Sequence, residues 1–224
     1  MPDCLSFIGF HNSGKTTLIL KVVDELVSRG YSIGVVKSTK HSICTRDDEG
    51  TDTWRFREGG VERIALVCPE GIVHFRQKKA FSLPYEAFSM FSGCDLVIAE
   101  GFKGEKGVKK IEVARQDVSK RLLKDEVDGV VAVVSDFPVK GIRSFGHSDI
   151  HGLCDFIEAH FRLLQKKERF DIELFVDERR IPLKRFVRDS LMNTVAGYVS
   201  SLKFTEGAKS IEMRIRFGAK NRIE

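Results

Sequence analysis

Apolar residues in this chain fall in short blocks separated by segments of helical spacing. Leu5-Ser6-Phe7-Ile8-Gly9, Ile33-Gly34-Val35-Val36-Lys37, Leu96-Val97-Ile98-Ala99 and Val130-Val131-Ala132-Val133-Val134 show little alternation, as expected of strands covered on both faces. Residues 15–29 place Leu18, Val22, Leu26 and Val27 at helical intervals, and Gly30 stops the run. Shorter helices are predicted at 51–58, before Gly59-Gly60, and at 84–91. Ile150, Leu153, Phe156, Ile157, Phe161 and Leu164 share one face of another, with Ser148 as its predicted cap. Residues 63–67 and 71–75 predict a hairpin. The alternation predicts an α/β fold through residue 164, a mostly parallel sheet with helices on both faces.

Beyond 164 the pattern changes. Gln165-Lys166-Lys167-Glu168-Arg169 is a charged run without apolar residues and reads as a linker. A strand is predicted at 172–176, a turn at 177–180 and a long amphipathic helix at 184–202, with Val187, Leu191, Val195, Val199 and Leu202 in register. Residues 211–216 alternate apolar and basic, as a half-buried strand would. The expected organisation is a domain at 1–164, a linker at 165–169 and a small α+β appendage at 170–224.

Composition narrows the function only slightly. The net charge of +5, from 37 Lys+Arg against 32 Asp+Glu, is too mild to argue for a nucleic-acid partner. No apolar run approaches the ~18 residues of a membrane span. No basic leader precedes an apolar stretch at the amino end, so a cytoplasmic location is expected. Five cysteines, widely spaced and without Cys-x-x-Cys, argue against a disulfide framework or a zinc ribbon.

The chemistry concentrates in Gly9-Phe10-His11-Asn12-Ser13-Gly14-Lys15-Thr16, which fits G-x-x-x-x-G-K-[ST] between an apolar strand and an amphipathic helix. Two glycines let main-chain N–H groups turn onto a phosphate, and the helix start adds partial positive charge. Lys15 brings a full charge to the β- and γ-phosphates, and the Thr16 hydroxyl is a hard oxygen suited to Mg²⁺. The candidate nucleotide-binding residues are therefore Gly9, His11, Asn12, Ser13, Gly14, Lys15, Thr16 and Thr17. Glu100 emerges at the carboxyl end of an apolar strand, where ligands bind in open α/β sheets. It is placed to hold the metal or orient water, and Asp95, at the other strand end, is not. Asp52 either reaches the metal or, with Thr51, caps the short helix. Lys15, Glu100 and Asp52 are the candidate catalytic residues; Thr16, Glu100 and Asp52 are the candidate metal ligands. Lys40-His41 follows the second strand and could face the phosphates. His147 and His151, four apart, make a poor metal pair, because the predicted cap separates them. Trp54 fits a core position better than a base platform. Guanine readers of the common type carry Asn-Lys-x-Asp after a strand. Here Val134-Ser135-Asp136 supplies the aspartate without Asn-Lys, and base identity stays open on the residues alone.

Four ordered elements carry a resemblance: the phosphate loop running on into Thr17-Leu18; Val36-Lys37-Ser38-Thr39-Lys40-His41; Asp52-Thr53-Trp54-Arg55-Phe56-Arg57-Glu58-Gly59-Gly60; and Asp95-Leu96-Val97-Ile98-Ala99-Glu100-Gly101-Phe102-Lys103. Over roughly residues 3–164 the chain resembles the molybdopterin-guanine dinucleotide biosynthesis protein B (MobB) family. That resemblance implies a P-loop GTP-binding accessory protein of molybdenum cofactor biosynthesis. It implies GTP and Mg²⁺ as ligands, at most slow hydrolysis, a homodimer, and a MobA-like molybdopterin guanylyltransferase as partner, with molybdopterin a further candidate ligand. It matches Lys15 and Thr16 to phosphate and Mg²⁺ positions, Asp52 to a switch-like aspartate, Glu100 to an acidic strand end and Lys40-His41 to a Lys-His pair. The family's His-rich acidic stretch is replaced by Ser42-Ile43-Cys44-Thr45-Arg46-Asp47-Asp48. A metallochaperone-type GTPase and a small-molecule kinase are the alternatives. The first needs clustered Cys/His ligands, and the second a basic lid and an acceptor site.

Overall fold

The computed structural model describes residues 2–39, 50–77, 81–166, 172–177, 179–208, 210–213 and 215. Strand β1 (Asp3–Ile8) leads into helix α1 (Lys15–Ser28), then β2 (Ile33–Lys37), α2 (Asp52–Glu58), the hairpin β3 (Arg63–Cys68) and β4 (Gly71–Arg76), and α3 (Leu83–Met90). There follow β5 (Leu96–Glu100), β6 (Lys109–Val113), a single 3₁₀ turn at Leu123–Asp125, β7 (Val130–Val134), β8 (Arg143–Phe145), α4 (Ile150–Phe161) and α5 (Leu163–Lys166). Six strands form one sheet in the order β2-β5-β1-β6-β7-β8, every neighbouring pair parallel. The predicted fold class holds, with β1 at the centre.

The two faces of the sheet are built differently. On one, Leu5 and Phe7 of β1, Leu96 and Ile98 of β5, and Ile111 and Val113 of β6 meet Leu18, Val22 and Leu26 of α1 and Leu153, Cys154 and Ile157 of α4 in one large core. Burial pushes the Cys154 thiol up to about 12, so it behaves there as a small apolar group. Arg29 at the end of α1 ties the layer together, pairing with Glu25 at 2.7 Å, Asp155 at 2.7 Å and Glu158 at 3.1 Å. The other face carries α3 and a smaller cluster around Leu83, Ala99 and Val108.

β6 departs from the expected pattern. Lys-Lys-Ile-Glu-Val does not look like a central strand, yet it pairs with both β1 and β7. Its two inward charges explain the disguise. The Lys110 ammonium donates to the carbonyls of Glu105 (2.7 Å), Asp128 (2.9 Å) and Val108 (3.2 Å). The Glu112 carboxylate accepts from the N–H groups of Leu123 (2.6 Å) and Lys124 (2.9 Å). Buried charges persist only when bonded in this way.

Other boundaries also shift. Asp149, rather than Ser148, caps α4, its side chain accepting from Gly152 N–H at 3.1 Å. Residues 177–180, expected as a plain turn, include the start of β10 (Arg179–Ile181), which pairs with β9 (Leu174–Val176). Of residues 211–216, expected as strand, those described (211–213 and 215) form none.

The chain divides into two compact units. Residues 175–181 group with residues 1–170, and Phe175 stacks on Phe88 at 4.6 Å and meets Tyr85 edge-on. Residues 171–174 and 182–224 make up the second unit. Its helix α6 (Arg185–Ser200) buries none of its residues, and Phe186 and Tyr198 are exposed. Among the described residues, no helix is long and apolar enough to cross a membrane.

Candidate functional site

The site forms where β1 ends against its two neighbours. Gly9 leaves β1 with φ +152°, and a Cβ there would lie 2.3 Å from the carbonyl oxygen of Val113 on β6. Only glycine fits so close an approach. Asn12 and Gly14 take positive φ (61° and 85°), bending the loop round to the start of α1, whose N-cap is Gly14. Ser13 is buried and anchors the loop, while His11, Asn12, Thr16 and Thr17 are exposed. The loop's main-chain amides and the free N–H groups of the first turn of α1 thus gather at one point, as anion binding requires.

Lys15 bends back over this loop, its ammonium donating to the carbonyls of Phe10 (2.6 Å) and Gly9 (3.2 Å). Burial holds its pKa below the ordinary lysine value, and the Glu100 carboxylate opposes that shift. Thr16 Oγ donates to Glu100 Oε1 at 2.8 Å, although 84 residues separate the two. The other Glu100 oxygen pairs with Lys37 at 3.2 Å, and the Glu100 side chain is only 15% exposed. Lys37 ends β2 in register with Glu100 on β5.

The segment after β5 explains why Glu100 stands where it does. Gly101 has φ +100°. Its N–H donates to Phe7 O at 2.9 Å, and its carbonyl accepts from the Ser6 hydroxyl. Ser38 N–H donates to Glu100 O at 3.0 Å. Phe102 then stacks on Phe81 at 5.3 Å. The Glu-Gly-Phe turn is thereby pinned to β1 and β2, and Glu100 is held beside the phosphate loop.

Of the residues singled out in the sequence, Gly9, Ser13, Gly14, Lys15, Thr16 and Glu100 come together. Asp52 is engaged on its own helix: its carboxylate is exposed and pairs with Arg55 at 3.6 Å, and the cap of α2 is Thr51, accepting from Trp54 N–H. Lys40 and His41 lie outside the described residues. His147 Nε2 sits 2.9 Å from Ala114 O, and His151 Nδ1 lies 2.9 Å from Arg29 and 3.1 Å from Glu25, so the two imidazoles are engaged separately. Among the described residues no group of three His, Cys, Asp or Glu could hold a metal ion.

Two site residues escaped the sequence reading. Lys37 looks like the polar end of a strand, and only the β2–β5 register shows that it faces Glu100. Arg115 lies in a segment without motif, yet its guanidinium packs on the phosphate loop: a Cβ on Gly14 would be 3.2 Å from its Nε and 3.4 Å from its Nη2.

A glycine-lined loop between a central parallel strand and a helix, with lysine, threonine and an acidic strand end converging on it, defines a P-loop nucleotide-binding domain. The chain matches the profile of the family described as molybdopterin guanine dinucleotide synthesis protein B over residues 4–136. It is 35% identical over 158 residues to the molybdopterin-guanine dinucleotide biosynthesis adapter protein of Haemophilus influenzae, covering 69% of this chain and 86% of that one. To the Escherichia coli protein of the same name it is 30% identical over 163 residues, covering 70% and 92%. The crystal structure of a molybdopterin-guanine biosynthesis protein B superposes with a TM-score of 0.56 at 26% identity, over 70% of this chain and 99% of that one. This chain belongs to the molybdopterin guanine dinucleotide synthesis protein B family.

Proposed function

We propose that this protein is a GTP-binding accessory protein of molybdenum cofactor biosynthesis, one that assists conversion of molybdopterin to its guanine dinucleotide form. The observation that carries the reading is the Thr16–Glu100 hydrogen bond beside a fully formed phosphate loop. A nucleotide triphosphate would lie on the loop amides, with Lys15 and Lys37 countering its charge. The hydroxyl and the carboxylate are two hard oxygens set side by side, a donor pair that suits Mg²⁺. When bound, the ion supplies charge neutralisation across the β- and γ-phosphates.

Hydrolysis should be slow. Thr16 and Lys37 engage both oxygens of Glu100, so this carboxylate is not free to act as the base for an attacking water. The protein then acts as an adapter, as the names of its relatives describe them, with a MobA-like guanylyltransferase as its partner. We place it in the cytoplasm as a homodimer. The β3–β4 hairpin supports that assembly: Val67, Ile72 and Val73 are 61–72% exposed, and a lone two-stranded ribbon is barely stable in water.

The test is a reconstituted guanylyltransferase assay on molybdopterin. Adding this protein with GTP and Mg²⁺ should raise the yield of guanine dinucleotide, and Lys15→Ala should remove the gain. No gain from the wild-type protein would refute the proposal.

A further inference from the structure

We infer that Lys37 is the residue that tells a nucleoside triphosphate from a diphosphate, its ammonium bridging the Glu100 carboxylate and the terminal phosphate. This rests on the nucleotide reading proposed above and deepens it to one side chain.

Strand order places Lys37. β1 carries the phosphate loop, β5 lies next to it, and β2 lies next to β5 at the edge of the sheet. The three run parallel, so their carboxyl ends open on the same side. Lys37 and Glu100 are the last residues of β2 and β5 and stand in register. Lys37 Nζ meets Glu100 Oε2 at 3.2 Å, and Glu100 Oε1 accepts from Thr16 Oγ at 2.8 Å. Thr16 follows Lys15, the residue of a phosphate loop that reaches the β- and γ-phosphates. The hydroxyl–carboxylate pair therefore marks where a triphosphate ends. A diphosphate stops one group short, on the loop amides.

The strand ends are fixed to each other. Ser38 N–H donates to Glu100 O at 3.0 Å. Gly101 has φ +100°, and a Cβ on it would lie 3.2 Å from the Ser38 Cβ. Lys37 and Glu100 thus stand as one unit beside the loop.

The charges at this end are unbalanced in favour of an added anion. Lys15 and Lys37 bring two ammonium groups, and Glu100 one carboxylate. The three share one field: burial lowers the Lys15 pKa, Glu100 raises it, and Lys37 lowers it again. Lys15 is already committed to the carbonyls of Phe10 and Gly9. Lys37 is not. An ammonium has three donors, and the Glu100 contact leaves two of them. The Lys37 side chain is 56% exposed, and among the described residues Glu100 is the one bonded partner of its ammonium. An ion pair this open to water adds little to the stability of a fold. Its unused donors, set beside a phosphate site, suit charge-assisted bonds to phosphate oxygens.

The test titrates the full chain in Mg²⁺ with GTP, GDP, inorganic tripolyphosphate and pyrophosphate. The wild type should bind GTP above GDP and tripolyphosphate above pyrophosphate. Lys37→Met removes the ammonium from an exposed strand end. It should lose about tenfold or more for GTP and tripolyphosphate, and less than about twofold for GDP and pyrophosphate. The GTP-to-GDP ratio is read within each variant, so a loss of folded protein alone does not move it. Equal loss of GTP and GDP would mean that Lys37 only neutralises Glu100 and would overturn the inference. Unchanged GTP affinity in Lys37→Met, or a wild type that binds GTP and GDP equally, would overturn it too. A wild type that binds neither GTP nor tripolyphosphate brings down the nucleotide reading itself, before any variant is compared.

Discussion

The two flanks of β1 both reach the phosphate loop, and they are built by different rules. On the β5 side the parts follow from residue type and spacing: a lysine over the loop and a hydroxyl bonded to a strand-end carboxylate. A phosphate tail is the same in every nucleotide, so its cradle follows from fixed spacing. On the β6 side, Arg115 comes from a segment without motif, and only the fold brings it against the phosphate loop. The β5 side can thus be read locally, whereas the β6 side is a product of topology.

The comparison is broken most severely at Gly9, where the flanks touch. A Cβ there meets the main-chain oxygen of Val113 at 2.3 Å, a partner that no side-chain rotation can move away. Gly9→Ala should cost about 1–3 kcal/mol of stability and roughly a hundredfold in nucleotide affinity (~2.8 kcal/mol). Denaturant unfolding and titration check both, and an unchanged unfolding midpoint would contradict the close approach. Lys15→Ala should leave the fold intact and weaken GTP by at least about tenfold (~1.4 kcal/mol), and should weaken inorganic tripolyphosphate by the same factor. Glu100→Gln keeps the shape but removes the charge. It should weaken binding several-fold in Mg²⁺ and little in chelator, and a loss of equal size under both conditions would argue against a metal role.

The smallest effect belongs to the covered face of β6. Burial raises the Glu112 carboxyl above its ordinary value, against the lowering effect of the Leu123 and Lys124 N–H groups. Just above pH 4.5 the native chain therefore holds a proton that the unfolded chain has released. This group's contribution to stability is largest below that window and falls as the pH rises through it. The unfolding free energy of wild type minus that of Glu112→Gln should decrease from pH 4.5 toward neutrality. A pH-independent difference would contradict the shift.

How much could be read in the sequence follows the same division. Strands β1, β2, β5 and β7 are continuous apolar runs and announce themselves, and the phosphate loop is fixed by four residue types at fixed spacing. β6 was hidden because Lys110 and Glu112 turn inward, each satisfied by backbone groups from distant segments. The converse error was at 211–216, where alternation suggested a half-buried strand but Ile211, Met213 and Ile215 are exposed. Asp149 outcompeted Ser148 as a cap because its carboxylate reaches Gly152 N–H, a matter of one residue that periodicity does not resolve. Lys37 and Arg115 acquire meaning only once the strand order is known.

The central claim is that the loop at residues 9–16, with Thr16 and Glu100, binds a guanine nucleotide together with Mg²⁺. Calorimetric titration of the full chain with GTP and ATP, each with Mg²⁺ and with chelator, tests it most directly. GTP should bind more tightly than ATP and lose affinity on chelation; equal and negligible binding of both nucleotides would contradict the account.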